Sequence, residues 1–329
     1  MNLKGNQSRE AWIDYAKAVG MLLIVWGHFF PPHISKYIYS INVPIFFSIS
    51  GYLYKDLPFN KLIIKNIRSL IVPYLIFAFL NISRYLGLGS ISIGDLWISI
   101  LGILLGCHSI DGIPCAGALW FVYDLFIIKL LYHITSKNSK NKVNQVICAL
   151  LFLGLALYIN TLEWPTTVSP LLSLPVAYCF FLFGRIIRDY GFLPYRKDWM
   201  SILIGVLLFV VYFACARRNS NAYLYVGQLG SAFLFIPASI IGLVLFYSTL
   251  RVFKPENNLF VIASSSGTIV TLSIHQWLIH VSMHIISKNS PFYPLSSFIA
   301  SLLIMVVCFI IICLINRFIP FLLGGRRFA

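Results

Sequence analysis

Charged residues are scarce in this sequence, and acidic residues are the rarest among them. Asp, Glu, Lys and Arg make up 11% of the 329 residues, with 25 basic side chains and only 10 acidic ones. A soluble protein of this length needs far more charged and polar surface. The composition therefore excludes an ordinary soluble protein and leaves little polypeptide for a soluble domain.

Three other signals are missing. The seven cysteines have no paired metal-ligand spacing and fall mostly in or beside apolar runs, so they are predicted to be small buried side chains rather than a zinc site or disulfides. No long basic tail accompanies the net charge of +15, which argues against a nucleic-acid partner. No small-residue cleavage site follows the first apolar run, so this run is expected to remain as a membrane span.

Long apolar runs are what the sequence has in abundance. Hydrophobic residues account for 59% of the chain, and the mean hydropathy is +0.85. An apolar run at about 95–106 is short and interrupted by glycines, so its ability to span is open from length alone. The runs long enough to cross a bilayer lie at about 12–30, 37–54, 69–87, 117–134, 145–160, 171–187, 200–216, 229–250, 262–285 and 296–318.

The distribution of Lys and Arg decides the topology. If 95–106 does not span, 18 of the 25 basic residues lie on one side together with both termini. Basic residues accumulate in cytoplasmic loops, so the sequence predicts an all-α polytopic bundle of about ten transmembrane helices, one membrane domain over 1–329, with both termini cytoplasmic. No fixed-period repeat is visible, which weighs against a transporter. The basic residues assigned to the opposite side are Lys36, Arg84, Arg217, Arg218 and Lys288.

Three ionisable residues lie in the first span, where such groups are costly and usually mark a functional site. Lys17 and His28 are separated so that a helix places them on one face, about 16 Å apart along its axis. Asp14 lies one turn before Lys17 and could serve as its counter-ion. The alternative interpretation is an interfacial lysine and a solvated histidine near the two membrane surfaces.

The second span carries polar residues around a proline. Pro44 frees a backbone carbonyl one turn earlier, and Asn42, Ser48 and Ser50 can satisfy this carbonyl or contact a ligand. Ser50 and the following Gly51 permit close approach of another helix. The alternative is a kinked span held by small polar side chains.

The loop after this span contains a helical pattern of cations. Lys61, Lys65 and Arg68 recur at positions i, i+4 and i+7, which places them on one face of a helix that enters the membrane. This pattern fits a phosphate clamp at the cytoplasmic mouth. It fits the positive-inside rule equally well.

Two later residues complete the set. Trp120 opens a span from the outside and is either an interfacial anchor or a wall of an acceptor site. His275 lies near mid-depth of the span at 262–285, where a histidine bonded to a neighbouring helix is the ordinary explanation. His280 and His284 follow, but no carboxylate or cysteine lies nearby on this span, so no metal site is predicted.

Together these segments resemble the bacterial membrane acyltransferase family 3, whose members O-acetylate surface polysaccharides and related acceptors. They occur in the family's order and extend over essentially the whole chain. Lys17 stands where many members have Arg, which keeps the charge but loses the planar fork. The matching elements are Asp14-x-x-Lys17 with His28, the run from Val43 to Tyr52, Arg68 with Pro73-Tyr74, Leu119-Trp120-Phe121, and Gly267-Thr268 followed by His275.

The resemblance implies a multi-pass O-acetyltransferase of the bacterial inner membrane, surrounded by membrane lipids. Its co-substrate would be cytoplasmic acetyl-CoA, with the nucleotide phosphates bound by Arg68, Lys65 and Lys61. The acceptor would be a hydroxyl of a glycan or a lipid-linked glycan. No metal is implied.

The resemblance also suggests a role for each residue of the site. His28 would act as general base, or as a transient acyl carrier in a variant mechanism. Lys17 would position the donor, and Asp14 would orient Lys17 or balance its charge. The acceptor would contact Trp120, Asn42, Ser50 and His275.

Two other functions fit the same residues. Ten spans with cations inside would also suit a transporter or flippase of a lipid-linked glycan. The same scaffold would also suit another acyl donor, such as succinyl-CoA. Labelled acetyl-CoA separates the first alternative, because a flippase changes only the sidedness of a glycan.

Overall fold

The computed structural model describes residues 10–137, 142–162, 164–191, 198–253, 255–256 and 258–324, and this part of the chain is a helical bundle with almost no sheet. The predicted all-α class is confirmed. Several of the loop cations used to predict the topology lie outside the described residues. The helices are α1 (Ala11–Gly27), α2 (Ser35–Tyr52), α3 (Phe59–Asn66), α4 (Val72–Gly87), α5 (Leu96–Leu105), α6 (Trp120–Lys137), α7 (Lys142–Ile159), α8 (Ser169–Tyr190), α9 (Trp199–Arg218), α10 (Ala232–Phe253), α11 (Leu259–Ser266), α12 (Thr268–Ser282) and α13 (Tyr293–Phe318).

The structure contains helices that are long and apolar enough to cross a membrane, which makes this a multi-pass membrane protein. Six meet the requirement singly within the described ranges, and the bent pair α11–α12 raises the number to seven. The ten-span topology therefore stays a prediction. The six are Phe59–Gly87, Gly117–Thr135, Ser169–Tyr190, Trp199–Arg218, Ala232–Phe253 and Tyr293–Phe318.

The segment between α4 and α6 does not contain a full-length span. Helix α5 has 10 residues, so it is about 15 Å long, roughly half the thickness of a bilayer core. It is followed by a small antiparallel hairpin of β1 (Ser109–Ile110) and β2 (Ile113–Pro114). Asp111 and Gly112 form its turn with positive φ angles. The hairpin carries His108 and leads directly into Trp120.

Helices α2 and α8 cross with their backbones in contact. A Cβ atom added at Gly51 would overlap the carbonyl group of Phe181, and one added at Gly184 would overlap that of Ser48. Pro44 lies inside α2 without ending it. The close helix approach predicted at Ser50-Gly51 is confirmed, and it fixes the position of the helix that carries Asn42 and Ser50.

The apolar run predicted as a span at 262–285 is bent in the structure, and its crossing of the membrane stays a prediction. The chain breaks at Gly267 into α11 and α12, which are bent by 89° relative to each other. Gly267 packs against Ile312 of α13 so closely that a Cβ atom would overlap the isoleucine side chain. Asn258 caps the start of α11 by accepting a hydrogen bond from the Val261 amide at 3.0 Å. The break points the beginning of α12 into the bundle.

Candidate functional site

Two cavities lie next to each other inside the bundle. The first, of about 260 Å³, is lined by four lysines and is called the lysine cavity. The second, of about 180 Å³, is lined mainly by aromatic side chains and is called the aromatic cavity. Phe121 and Leu272 line both, so these two side chains form the partition between the cavities.

Helix α1 reaches both cavities. Lys17 lines the lysine cavity, whereas His28, the residue that caps the end of α1, lines the aromatic cavity. The helix is unbroken between them. The predicted arrangement of Lys17 and His28 along one helix therefore places one residue on each side of the partition.

The lysine cavity has a strongly positive lining. Its lysines come from different segments, and no Asp or Glu is among its described lining residues. Lys129 lies near enough to Lys17 and Lys65 for their like charges to interact. Ammonium groups brought together in this way repel one another, and a bound anion relieves this repulsion. The four are Lys17, Lys55, Lys65 and Lys129.

The start of α12 adds to this positive potential. Thr268 and Ile269, the first two residues of the helix, line the lysine cavity. No side chain of the described residues caps this helix, and the first amide groups of any helix lack acceptors within it. The amide groups and the helix dipole together favour an anion at such a terminus. Two independent features of this cavity therefore favour an anion, the lysine side chains and the terminus of a 15-residue helix.

The structure divides the three cations predicted to hold phosphates. All three are exposed, but only Lys65 lines the lysine cavity; Lys61 and Arg68 do not belong to its lining. Arg68 lies in a π-helical turn, Ile67–Ile71, between α3 and α4. Sequence analysis did not select Lys129, although a lysine inside a predicted span is a signal of function.

Asp14 is buried and bonded to another helix. Its Oδ1 accepts a hydrogen bond from Oγ of Ser265 at 2.6 Å, which ties α1 to α11. Lys17 lies one helical turn further along α1. The role of Asp14 as a partner of Lys17 stays a prediction.

His28 is held in one tautomer by its own helix. Its Nδ1 atom lies 2.7 Å from the carbonyl oxygen of Ile24. A carbonyl oxygen only accepts hydrogen bonds, so Nδ1 of the neutral ring carries the proton and Nε2 keeps its lone pair. The ring therefore has the protonation pattern that a general base needs at Nε2.

His275 contacts His28. The two rings meet edge to face with centroids 4.7 Å apart, and His275 is completely buried on α12. Its Nδ1 atom lies 2.8 Å from the carbonyl oxygen of Thr271, so its Nε2 is also the unprotonated nitrogen. Nε2 has no hydrogen-bond partner among the described residues. His275 does not line the aromatic cavity, but it contacts His28, which does.

Arg84 occupies a different environment from the one assumed for a loop cation. It belongs to α4, is 8% exposed, and donates a hydrogen bond to Oε1 of Gln276 at 3.0 Å. Its charge lies near enough to act on His275. The buried guanidinium group of Arg84 therefore lies near the pair of histidines, on the side of His275.

The residues predicted to contact an acceptor are also divided. Trp120 and Asn42 line the aromatic cavity together with His28. Ser50 lines the lysine cavity instead, which differs from its predicted grouping with Trp120. Sequence analysis did not select Tyr39, Tyr223 or Tyr225, which line the aromatic cavity from three other positions in the chain.

Comparison with known proteins gave one clear result. A protein-family model for an acyltransferase domain matches residues 10–316, an interval that contains every predicted site residue. Searches of curated proteins and of solved structures found no match. Among the described residues, no group of three His, Cys, Asp or Glu side chains is placed to hold a metal ion.

Proposed function

Because this chain belongs to the membrane acyltransferase family 3, whose model matches residues 10–316, we propose that it is an O-acetyltransferase. It moves an acetyl group from acetyl-CoA to a hydroxyl of a surface glycan or its lipid-linked precursor. One observation carries the proposal: α1 brings Lys17 into a cationic cavity and His28 into a separate, nearly uncharged one. This arrangement suits a polyanionic donor and an uncharged acceptor group on opposite sides of a partition.

The donor binds in the lysine cavity. CoA carries several phosphate charges, and both the lysines and the first amides of α12 attract anions. A cavity of about 260 Å³ is at the small end for a ligand of this size, so only part of CoA enters it. The adenosine end lies outside, beside the exposed Lys61 and Arg68, and the diphosphate lies among the lysines of the cavity. The thioester passes Lys17 and reaches His28 between Phe121 and Leu272.

His28 acts on the acceptor. Nε2 removes the proton from the acceptor hydroxyl as its oxygen attacks the thioester carbonyl carbon. The carbon–sulfur bond then breaks, the acetyl ester forms, and the CoA thiolate takes up the proton that Nε2 held. In the variant route Nε2 attacks the thioester carbon and the CoA thiolate leaves; the acceptor oxygen then displaces the imidazole, and its proton passes to the thiolate. Both routes need the lone pair on Nε2.

The chain crosses the bacterial inner membrane ten times, with both termini in the cytoplasm. This topology needs α1, α2 and α7 to cross in addition to the seven segments found by length and hydropathy. These helices have 17 or 18 residues, so each is about 26 Å long, close to the thickness of a bilayer core. The lysine cavity then opens to the cytoplasm, where acetyl-CoA is made.

A labelled donor tests the reaction. Membranes that contain the protein receive acetyl-CoA labelled in the acetyl group, and the label in the glycan fraction is measured. Transfer of label supports the acetyltransferase, whereas a change in the sidedness of the glycan without label supports a flippase. Labelled succinyl-CoA in a parallel assay identifies the acyl group, and transfer of succinate alone would contradict acetyl specificity.

A further inference from the structure

A loop between α9 and α10, residues 219–231, covers part of the aromatic cavity. It carries Tyr223 and Tyr225 into the cavity lining, beside His28. The loop is folded back on itself, because the amide of Tyr223 donates to the carbonyl of Gln228 at 2.7 Å and the amide of Gln228 donates in return at 3.2 Å. Gly227 closes the turn with φ of +69°, a conformation that favours glycine.

Two asparagine side chains hold this loop in place. Asn160, at the end of α7, donates from Nδ2 to the carbonyl of Gly230 at 3.0 Å and accepts from the amide of Leu229 at 2.7 Å. Asn219 donates to the carbonyl of Leu229 at 2.9 Å and accepts from the amide of Ser231 at 2.8 Å. Each amide uses both its donor and its acceptor on the loop backbone. The loop is therefore organised in advance of any ligand.

The tyrosines of the loop join a continuous group of aromatic rings. Tyr225 stacks on His108, with ring centroids 4.3 Å apart and planes at 29°, and lies 6.3 Å from Trp120. Tyr223 lies 6.3 Å from Tyr225 and 6.4 Å from Tyr39. Flat apolar faces with hydroxyl groups at their edges thus surround the cavity that holds His28. Such faces pack against the C–H face of a sugar ring while the edges form hydrogen bonds.

The aromatic cavity is nearly free of charge. Its described lining residues include no Asp, Glu, Lys or Arg, in contrast to the neighbouring lysine cavity. Burial, and to a smaller extent the nearby His28, lowers the pKa of His108 to about 4, so this ring is neutral at pH 7. A charged group that enters such a cavity loses its hydration without gaining a partner.

We infer that Tyr223 and Tyr225 form a stacking platform for an uncharged sugar ring, and that the cavity discriminates against sugars that carry a carboxylate. The inference rests on the proposed function, since it describes the acceptor side of that reaction. Asn42 and the tyrosine hydroxyl groups hold the ring, and the platform presents one sugar hydroxyl to Nε2 of His28. The acceptor class is therefore a neutral hexose unit rather than a uronic acid.

Binding is tested on the purified full-length protein in detergent by saturation-transfer NMR. The probes are methyl glycosides of glucose, galactose and mannose, and the methyl glycoside of glucuronic acid as the charged counterpart, at pH 7. We expect the neutral glycosides to bind at least about tenfold more tightly than the glucuronide, because the carboxylate has to be desolvated without compensation.

Variants of the platform test its residues. Tyr225→Ala and Tyr223→Ala should each weaken binding of the neutral glycosides by roughly 3- to 10-fold, the range expected for one lost stacking contact. Tyr225→Phe keeps the ring and should retain most of the affinity. Tyr158→Ala, an exposed tyrosine on α7, is the matched control and should change nothing. Unaltered binding of CoA by each variant shows that the fold is intact.

Each outcome decides a different statement. Equal binding of glucuronide and neutral glycosides, or no binding of any neutral glycoside, overturns the inference about the acceptor. Unchanged affinity in both alanine variants removes the platform. The proposed function is judged separately, by transfer of labelled acetyl groups to membrane glycans, so a failure of one measurement leaves the other statement standing.

Discussion

At the scale of single residues, the proposed role of His28 as a base depends on a hydrogen bond made by its own helix. The carbonyl of Ile24 accepts from Nδ1 and so leaves the lone pair on Nε2. Replacement of His28 by Ala removes the only proposed proton acceptor for the hydroxyl. We expect acetyl transfer to fall by about 10²- to 10⁴-fold, the usual contribution of a general base.

The measurement is label transfer by membranes that contain equal amounts of wild-type protein and His28→Ala. Binding of CoA should be unchanged, since His28 lies outside the lysine cavity. Full activity in His28→Ala would refute the mechanism while leaving the family assignment intact.

His275 is expected to act through His28 rather than on the substrates. It is buried, contacts the His28 ring at 4.7 Å, and lies outside the aromatic cavity lining. His275→Ala should therefore lower transfer less than His28→Ala does. His275→Phe preserves a ring at the contact and should retain more activity than His275→Ala.

The rates of both His275 variants are compared across pH, because a positioning residue that influences the His28 ring also alters the pH–rate profile. A loss in His275→Phe as deep as that in His28→Ala would show that His275 exchanges protons. Activity lost in His275→Ala but kept in His28→Ala would move the site to α12.

Basic residues in and near the lysine cavity should contribute to CoA binding according to their exposure. Lys17 and Lys129 are half-buried, whereas Arg68 is exposed to solvent that screens its charge. Lys129→Ala and Lys17→Ala should each weaken CoA binding by roughly 10- to 100-fold, since hydrogen bonds to charged groups are strong. Arg68→Ala should cost less, and Lys17→Arg should keep much of the affinity.

Calorimetric titration of the purified variants with CoA measures these effects. Lys288→Ala, an exposed lysine after α12, is the control for a general loss of positive charge. If the control and Lys129→Ala have the same affinity, the lysines would be topology signals and not a binding site.

At the scale of elements, the break between α11 and α12 explains why the lining of the lysine cavity could be predicted only in part. The residues from 259 to 282 are apolar enough to pass as one span, so hydropathy gives no sign of an 89° bend. At the bend, Gly267 packs against Ile312, which is distant in sequence. Lys65 was predicted from local spacing, whereas the helix terminus beside it required the tertiary structure.

The partition of Phe121 and Leu272 is also a product of packing between elements. Phe121 of α6 contacts Phe46 and Phe47 of α2, with ring centroids 5.7 and 6.0 Å apart. The ring separates the two cavities, so Phe121→Ala should join them and admit water to the thioester. We expect a several-fold increase in hydrolysis of acetyl-CoA in the absence of acceptor.

Release of the CoA thiol, followed by a thiol reagent, measures this hydrolysis. Phe209→Ala changes an exposed phenylalanine of α9 and serves as the control. Hydrolysis at the wild-type rate in a Phe121→Ala protein that still binds CoA would show that the ring does not separate the donor from water.

At the scale of the whole molecule, several residues that line the cavities could be predicted from the sequence, whereas most of the side chains around them could not. His28, Lys17, Lys65, Asn42 and Trp120 line one cavity or the other. Each was found from local signals, such as an ionisable group in an apolar run. Most of the other lining residues are brought in by long-range contacts, for example by the loop at 219–231, and carry no local pattern that marks them. The exceptions are Lys129, which lies inside a predicted span, and Ser50, which was predicted for the other cavity.

Polar residues inside the helices explain why the number of spans is difficult to predict from hydropathy. Helices α1 and α2 contain Asp14, Lys17 and Asn42, which lower their apolar content, and they pack against several other helices of the bundle. A helix surrounded by protein needs a less apolar surface than one that faces lipid, as the mostly exposed α9 does. The ten-span topology therefore depends on the loop cations.

Reporter fusions test this topology directly. A reporter at about residue 140, which lies outside the described residues, should be cytoplasmic, and one at about residue 165, beyond α7, should be external. A third reporter in the hairpin at 111–112 should also be external, because α5 is too short to cross. The reason is the 18-to-5 division of the loop cations. If the reporters at 140 and 165 lie on the same face of the membrane, α7 does not span. The ten-span topology would then be wrong, and so would the assignment of the lysine cavity to the cytoplasmic side.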